Sequence, residues 1–410
     1  VSILAKHRED FLRHSGADVE IVRYADRNTG RFSDLGLPPD ACTTDAADII
    51  NDDSIDIVVE LVGGIGVAHE MVLSALSAGK NVVTANKALL ASYGEEVMKA
   101  AESHGVEIRF EASVGGGIPI IEPLKHALTS NEISTVMGIV NGTTNYMLTR
   151  MTEDGLDYDT ALAEAQEKGF AEADPTADVD GHDAAAKIAI LSSIAFNSRV
   201  HMDQVFTEGI RRLSPVDIEY AERMGNTIKL LAIGRRVGDE IDVRVHPTII
   251  PGSHPLASVN GVYNAIYVIG DAVGQTMFFG EGAGSLPAAS AVVGDIIEVS
   301  RRINSGCAPV AGCTCTDKLE VRAITDLETR YYVRLVVIDR PGVLAATAKL
   351  FGDHGVSLAS VIQQETKGEI AEVVYVTHRA REAAVRAALE ALAAHGSVEG
   401  IESVIRVEDL

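Results

Sequence analysis

The densest cluster of ionisable side chains in this 410-residue chain runs from Glu167 to Lys187, with six carboxylates and two lysines in 21 positions. It lies between two stretches of helical spacing, about 154–169 and 182–196. Asp183 and Lys187 stand i,i+4 and share one face of the second stretch. On a solvated helix such a pair contributes only about 0.2–0.5 kcal/mol. Ile188, Ala189, Ile190, Leu191 and Ile194 mark this helix as buried, however, and lysine is rarely buried without a partner. A lysine desolvated among fixed carboxylates has a tuned pKa and can deliver or accept a proton, while neighbouring carboxylates can hold a substrate ammonium. These residues alone point to a small-molecule site that moves a proton.

The elements upstream would position a second component. Residues 1–15 have helical spacing, and the apolar runs Val19–Ala25, Ile55–Val62, Asn81–Ala85 and Val106–Phe110 read as strands. Helices are expected between the later ones, one ending at Gly79 and one from about Lys87 to His104. Strands alternating with helices predict an α/β, doubly wound, Rossmann-like parallel sheet, whose ligands sit beyond the strands' carboxyl ends. Asp26-Arg27, Gly63-Gly64, Asn86-Lys87 and Glu111 stand there. An acid such as Asp26 can accept a ribose 2′-hydroxyl, and an adjacent Arg27 can hold a 2′-phosphate. No G-x-G-x-x-G precedes the first helix, so the expectation is a fragment that begins inside the helix following that loop.

Residues 112–310 are mixed. Val114–Pro119 is a glycine loop leading into a helix, Val136–Val140 a strand, and Asn141-Gly-Thr-Thr-Asn145 the segment that ends it. Strand-like runs follow at 241–245, 265–269 and 276–279, and Gly282-Ala-Gly284 precedes a helix at about 287–303. Residues 306–329 read as a linker, and 330–410 as βαββαβ, the ferredoxin-like order. A hydrophobic share of 46% with 23% charged residues excludes wholesale disorder. The net charge of −24 argues against nucleic acid or anionic lipid as a partner. No stretch reaches the roughly 18 apolar residues of a membrane helix and no leader is visible, so the expected compartment is the cytoplasm. Cys307, Cys313 and Cys315 lack the paired spacing of a zinc site and read as reduced, structural thiols.

The run Ala165-x3-Gly169-Phe-Ala-x2-Asp174-Pro-x2-Asp178-Val-x-Gly181-x-Asp183-x3-Lys187 resembles the signature of homoserine dehydrogenase. Thr84-Ala-Asn-Lys87, Glu111–Pro119, Asn141–Asn145 and the late Gly-Ala-Gly agree with that family in order, and 330–410, with Asp339-Arg-Pro-Gly-Val-Leu344, resembles an ACT domain. The resemblance implies a nucleotide-binding domain at 1–112 onto which helix 287–303 packs back, an α+β catalytic and dimerisation domain at 113–305, and an ACT regulatory domain at 330–410. It implies interconversion of L-aspartate 4-semialdehyde and L-homoserine with NAD or NADP, on the route to threonine, methionine and isoleucine. Lys187 would be the proton donor and Lys87 a second cation, with Gly169, Glu172, Asp178, Asp183 and Thr143 around the substrate and Asp178 orienting the lysine. Asp26, Arg27, Gly63, Lys87, Gly282 and Gly284 would face the cofactor. Glu111 with the carbonyls of Val114, Gly116 and Ile118 would hold a monovalent cation, usually sodium. Gly342 would open the effector site, with L-threonine as effector, in a homodimer or homotetramer. The alternative is an amino-acid sensor, or an incomplete fragment, lacking nucleotide binding.

Overall fold

The computed structural model describes residues 1–309, 313–363 and 368–408. Ile57–Glu60, Asn81–Thr84 and Ile108–Arg109 form a parallel sheet in that order. Helices Gly66–Ser77 and Lys87–His104 return the chain between these strands and bury Val72, Leu76, Leu89 and Val97 against them. The Asn86 side chain accepts from the Leu89 amide at 3.1 Å, which fixes where the second helix begins. Tyr24–Ala25 and Cys42–Thr43 make a separate parallel pair. The strand expected over 19–25 is therefore only two residues long. A strand forms where its amides and carbonyls find a ladder, and 19–23 have none. Residues 1–15 form two short helices, Ser2–Lys6 and Arg8–Ser15.

Helix Ser285–Ser305 lies against this first region. Val292, Ile296 and Val299 cluster with Val83, and the Asn304 side chain donates to the Gly16 carbonyl at 3.0 Å.

The second region is built on a twelve-stranded sheet. Its main path runs Gly274–Glu281, Tyr263–Gly270, Ile133–Ile139, Asn226–Val237, Glu240–Pro251, Val398–Val407, Glu328–Ile338, Ile370–Thr377, Leu358–Gln363. Helices Gly142–Asp154, Tyr158–Glu167 and His182–Ala195 belong to this region. The helix Gly142–Asp154 was not expected, because Gly-Thr-Thr-Asn has low helix propensity. Burial of Thr144, Met147, Leu148 and Met151 overrides that preference. The helix after the glycine loop begins at 121 rather than near Pro119, because the Glu111 carboxylate accepts the amides of Ile120, Ile121 and Glu122 there.

The C-terminal βαββαβ unit has strand order Val398–Val407, Glu328–Ile338, Ile370–Thr377, Leu358–Gln363, all antiparallel. It is not tethered only by a linker. Val398–Val407 also pairs in parallel with Glu240–Pro251, at Arg406 beside Thr248 and Val407 beside Ile249, so one sheet spans both regions. Within 306–329, Glu320–Val321 adds to the same Glu240–Pro251 strand, which corrects the reading of that stretch as a plain linker. Residues 310–312 of it lie outside the described residues. Buried ion pairs stitch the junction. Arg334 donates to Asp217 at 2.8 Å, and Arg406 donates to Glu382 and Glu208. Arg244, fully buried, lies between Asp242 and Glu408.

Candidate active site

Strand Ile133–Ile139 runs out through Val140 into Asn141, the N-cap of helix Gly142–Asp154. The Asn141 side-chain oxygen accepts from the Thr144 amide at 2.9 Å. Its amide group donates to Asp178 Oδ1 at 2.6 Å and to Asp183 Oδ2 at 2.9 Å. One residue thus caps a helix and fixes two carboxylates. Asp183 lies in the first turn of helix His182–Ala195, where a carboxylate complements the unpaired amides. Gly181, just before that helix, sits at φ +85, and a Cβ there would press on Thr207 and Val245 at 3.1 and 3.2 Å. Both facts require glycine at this break.

Lys187 Nζ donates to Asp183 Oδ2 at 2.7 Å and to the Val140 carbonyl at 2.6 Å. Lys87, at the N-terminus of helix Lys87–His104, meets the other oxygen, Asp183 Oδ1, at 2.6 Å. One carboxylate therefore bridges two ammonium groups, one from the parallel-sheet region and one from the large-sheet region. The Lys187 side chain is 11% exposed and that of Lys87 44%. Burial pushes the Asp183 carboxyl pKa up, but the two ammonium groups outweigh it and hold the group well below the usual carboxylate range. An ammonium has three N–H bonds, and Lys187 spends two of them on the described residues. The third is free for a ligand atom.

Not every expected neighbour joins this centre. Asp178 does not touch Lys187. Its carboxylate meets Asn141, and the Val140 carbonyl with Asp183 orients the lysine instead. The Thr143 hydroxyl donates to the Phe170 carbonyl at 2.6 Å, tying the helix to the Gly169–Phe170 loop. Gly169 is exposed, with φ +73. Glu172 is also exposed, and among the described residues its carboxylate has no hydrogen-bond or ion-pair partner, while its backbone carbonyl accepts from Gln166.

The carboxyl ends of the parallel strands carry their own network. The buried Glu60 accepts from the Val62 and Gly63 amides at 2.8 and 3.0 Å and from the Thr84 hydroxyl at 2.6 Å. Asn86 donates to the Gly64 carbonyl at 2.8 Å. Gly63 and Gly64 are thereby held in an open, left-handed turn. Asp26 accepts from the Asn28 amide at 2.8 Å and from Arg31 at 3.3 Å, while Arg27 projects into solvent. Gly282 and Gly116 are close-packing positions. A Cβ at Gly282 would overlap the Asn264 side chain, and one at Gly116 would lie 2.6 Å from the Gly282 carbonyl oxygen. Gly284 opens helix Ser285–Ser305. Sequence reasoning missed Asn141 and Glu60. A capping signal before Gly-Thr-Thr marked the first, and an acid inside an apolar strand the second.

At Glu111 both carboxylate oxygens accept backbone amides, and burial raises the group's pKa. Among the described residues, no donor reaches the carbonyls of Val114, Gly116 or Ile118.

Comparison with known proteins gives consistent results. The family description "Homoserine dehydrogenase, NAD binding domain" matches residues 1–111, "Homoserine dehydrogenase" matches 119–297, and "ACT domain" matches 331–394. A homoserine dehydrogenase of Synechocystis sp. is 49% identical over 398 residues, covering 95% of this chain and 92% of the relative. The crystal structure of a homoserine dehydrogenase from Thiobacillus denitrificans superposes with a TM-score of 0.94 at 42% identity, covering 100% of this chain and 94% of that one. A hyperthermophilic archaeal homoserine dehydrogenase solved in complex with NADPH matches with a TM-score of 0.62 at 27% identity, over 73% of this chain and 92% of that one.

Proposed function

This chain belongs to the homoserine dehydrogenase family, and from that premise we propose which side chains carry the reaction. The activity is the NAD(P)-dependent interconversion of L-aspartate 4-semialdehyde and L-homoserine, and the division of labour follows 1–112 for nucleotide, 113–305 for catalysis and 330–410 for regulation. When bound, the nicotinamide supplies hydride to the aldehyde carbon. Negative charge then develops on the carbonyl oxygen. Lys187 stabilises that charge through its third N–H and gives up the proton, so the alcohol forms without free alkoxide. Lys87 is a second cation near the same point, and Asp183 fixes both lysines in place. The observation that carries this reading is the shared Asp183 carboxylate beneath a buried lysine with one unspent donor.

Gly169, Glu172, Asp178 and Thr143 border the substrate. The free Glu172 carboxylate is available to a substrate ammonium. The Gly63 turn and the Gly282–Gly284 segment face the cofactor, with Asp26 and Arg27 at the ribose. Glu111 and the three unpaired carbonyls of Val114, Gly116 and Ile118 suit an oxygen-ligand cation such as sodium, which would hold the glycine loop in place. A homodimer or homotetramer is supported by the exposed Tyr263, Met277 and Phe279 on the outermost hairpin of the sheet. At the C-terminal unit, Gly342 is the left-handed N-cap of helix Val343–Asp353 with open space before it, which suits a small carboxylate such as L-threonine.

Replacing Lys187 by alanine tests the central role. The expected result is a fall in kcat by about two or more orders of magnitude with little change in KM. A large rise in KM at unchanged kcat would make Lys187 a binding group instead.

A further inference from the structure

Cys313 and Cys315 occupy a strap that crosses the far ends of the two helices bearing the active-site lysines. The Cys313 amide donates to Glu102, near the end of helix Lys87–His104, at 3.0 Å. The Cys315 thiol donates to the carbonyl of Ser193, near the end of helix His182–Ala195, at 3.6 Å. The Asp317 amide to the Asn197 carbonyl and the Leu319 amide to the Ser198 hydroxyl continue the strap at 2.8 Å each.

The surroundings of Cys313 are cationic. Arg199 donates to its sulfur at 3.4 Å, and the positive charges of Lys99 and Lys125 also bear on it. Arg199 can lie there because Gly94 has no side chain. A Cβ at Gly94 would stand 2.9 Å from the guanidinium. Cys315 stands two positions from Cys313 on the same strap. The neighbouring Cys315 side chain and Arg199 hold the Cys313 thiol below its ordinary range, while Cys315 is held protonated. A cavity of about 390 Å³, lined by Tyr93, Glu96, Lys99, Arg199 and His201, opens beside Arg199.

We propose that Cys313 and Cys315 are a hydroperoxide-reactive thiol pair that closes into an intrachain disulfide and thereby adjusts turnover. The Cys313 thiolate attacks the terminal oxygen of a hydroperoxide. An S–O bond forms, the O–O bond breaks, and the alkoxide leaves as alcohol after taking a proton from water. The Cys315 thiol then attacks the Cys313 sulfur. The S–S bond forms, the S–O bond breaks, and the hydroxyl leaves with the thiol proton as water. The pair loses two electrons, and the hydroperoxide is reduced to alcohol and water. Closure draws Cys315 off the Ser193 carbonyl and removes the thiolate facing Arg199. The end of helix His182–Ala195 then loses a fixed contact, which departs from the structural role that spacing suggested for these thiols.

The test uses the full chain, reduced and then titrated with hydrogen peroxide. The expected product is lighter by two hydrogens, with one peptide carrying Cys313 joined to Cys315, and dithiothreitol reverses it. Cys315→Ser should stop at a sulfenic acid trapped by dimedone, and Cys313→Ser should not react at this site. Arg199→Met should slow alkylation of Cys313 by iodoacetamide about tenfold. Turnover of the oxidised chain should differ from the reduced one by about threefold or more, and neither serine variant should show the change. A disulfide mapping to Cys307 or Cys42, equal reactivity of Cys313→Ser and the parent, or an oxidised pair without any change in turnover overturns the proposal.

Discussion

Replacing Asp183 by asparagine isolates the electrostatic part of the mechanism. The carboxylate lies 2.7 Å from Lys187 and 2.6 Å from Lys87. At an effective dielectric near 20, a unit pair at such a distance interacts by roughly 6 kcal/mol before desolvation is counted. Measured pKa shifts from one adjacent opposite charge are smaller, about 1–3 units, or roughly 1.4–4 kcal/mol. Asparagine keeps the shape and can still accept from Lys187, but its amide group must then face Lys87. Lys187 remains buried, loses its counter-charge and keeps a cationic neighbour, so the ammonium is no longer fixed at the reacting oxygen. Reduction of the aldehyde needs the protonated lysine. The kcat for reduction should therefore fall by about one to three orders of magnitude, the same energy expressed as a rate, with KM changing much less. Initial rates of semialdehyde reduction across pH 6–10 measure this, with circular dichroism to check folding. A variant whose kcat stays in place while only KM rises would refute the argument that Asp183 holds Lys187 for proton delivery.

Three further outcomes are expected. Asp26→Ala should weaken use of NADH more than NADPH, and Arg27→Ala the reverse, as read from the two KM values; equal effects would mean the pair lies off the ribose. Lys229 is buried, donates to the Val259 carbonyl and to Asn260, and burial lowers its pKa to about 8 from 10.5. The unfolded chain holds that proton more tightly, so stability should rise as pH climbs from about 8 to about 10.5, by at most roughly 3 kcal/mol, and Lys229→Met should remove that slope in denaturant titrations. Arg334→Met leaves the buried Asp217 without its guanidinium partner and should cost about 3–5 kcal/mol, whereas the double variant with Asp217→Leu should lose less than the sum of the two single changes.

For the effector, a point substitution is a cleaner probe than truncation. Removing the C-terminal unit would uncover the edge of Glu240–Pro251, take the guanidinium partner from Asp217 and take Glu408 from Arg244. Gly342→Ser should instead abolish heat from L-threonine binding in calorimetry while basal turnover persists, and no heat with the unaltered chain would leave a structural role for the unit.

Much of this protein is local, and local features are legible in sequence. Helix Lys87–His104 has its asparagine cap and terminal glycine in the sequence, and helix His182–Ala195 has its glycine break and apolar run, so both appear where spacing places them. Asp183 and Lys187 meet because i,i+4 on a helix is a contact by geometry. What sequence order does not carry is which side chain from a distant element fills a remaining hydrogen bond. Lys87 reaches Asp183 across 96 positions of chain, from 87 to 183, and Asn141 displaces Asp178 from the lysine, because the large sheet and the parallel sheet are packed so that their strand ends converge. The same holds at the C-terminus. The βαββαβ order is written in the hydrophobic pattern, but the parallel pairing of Val398–Val407 with Glu240–Pro251 is not, because a β edge displays the same amides and carbonyls whatever its side chains. Only the folded chain decides which edge meets which, and with it that the C-terminal unit and the region before it share one sheet.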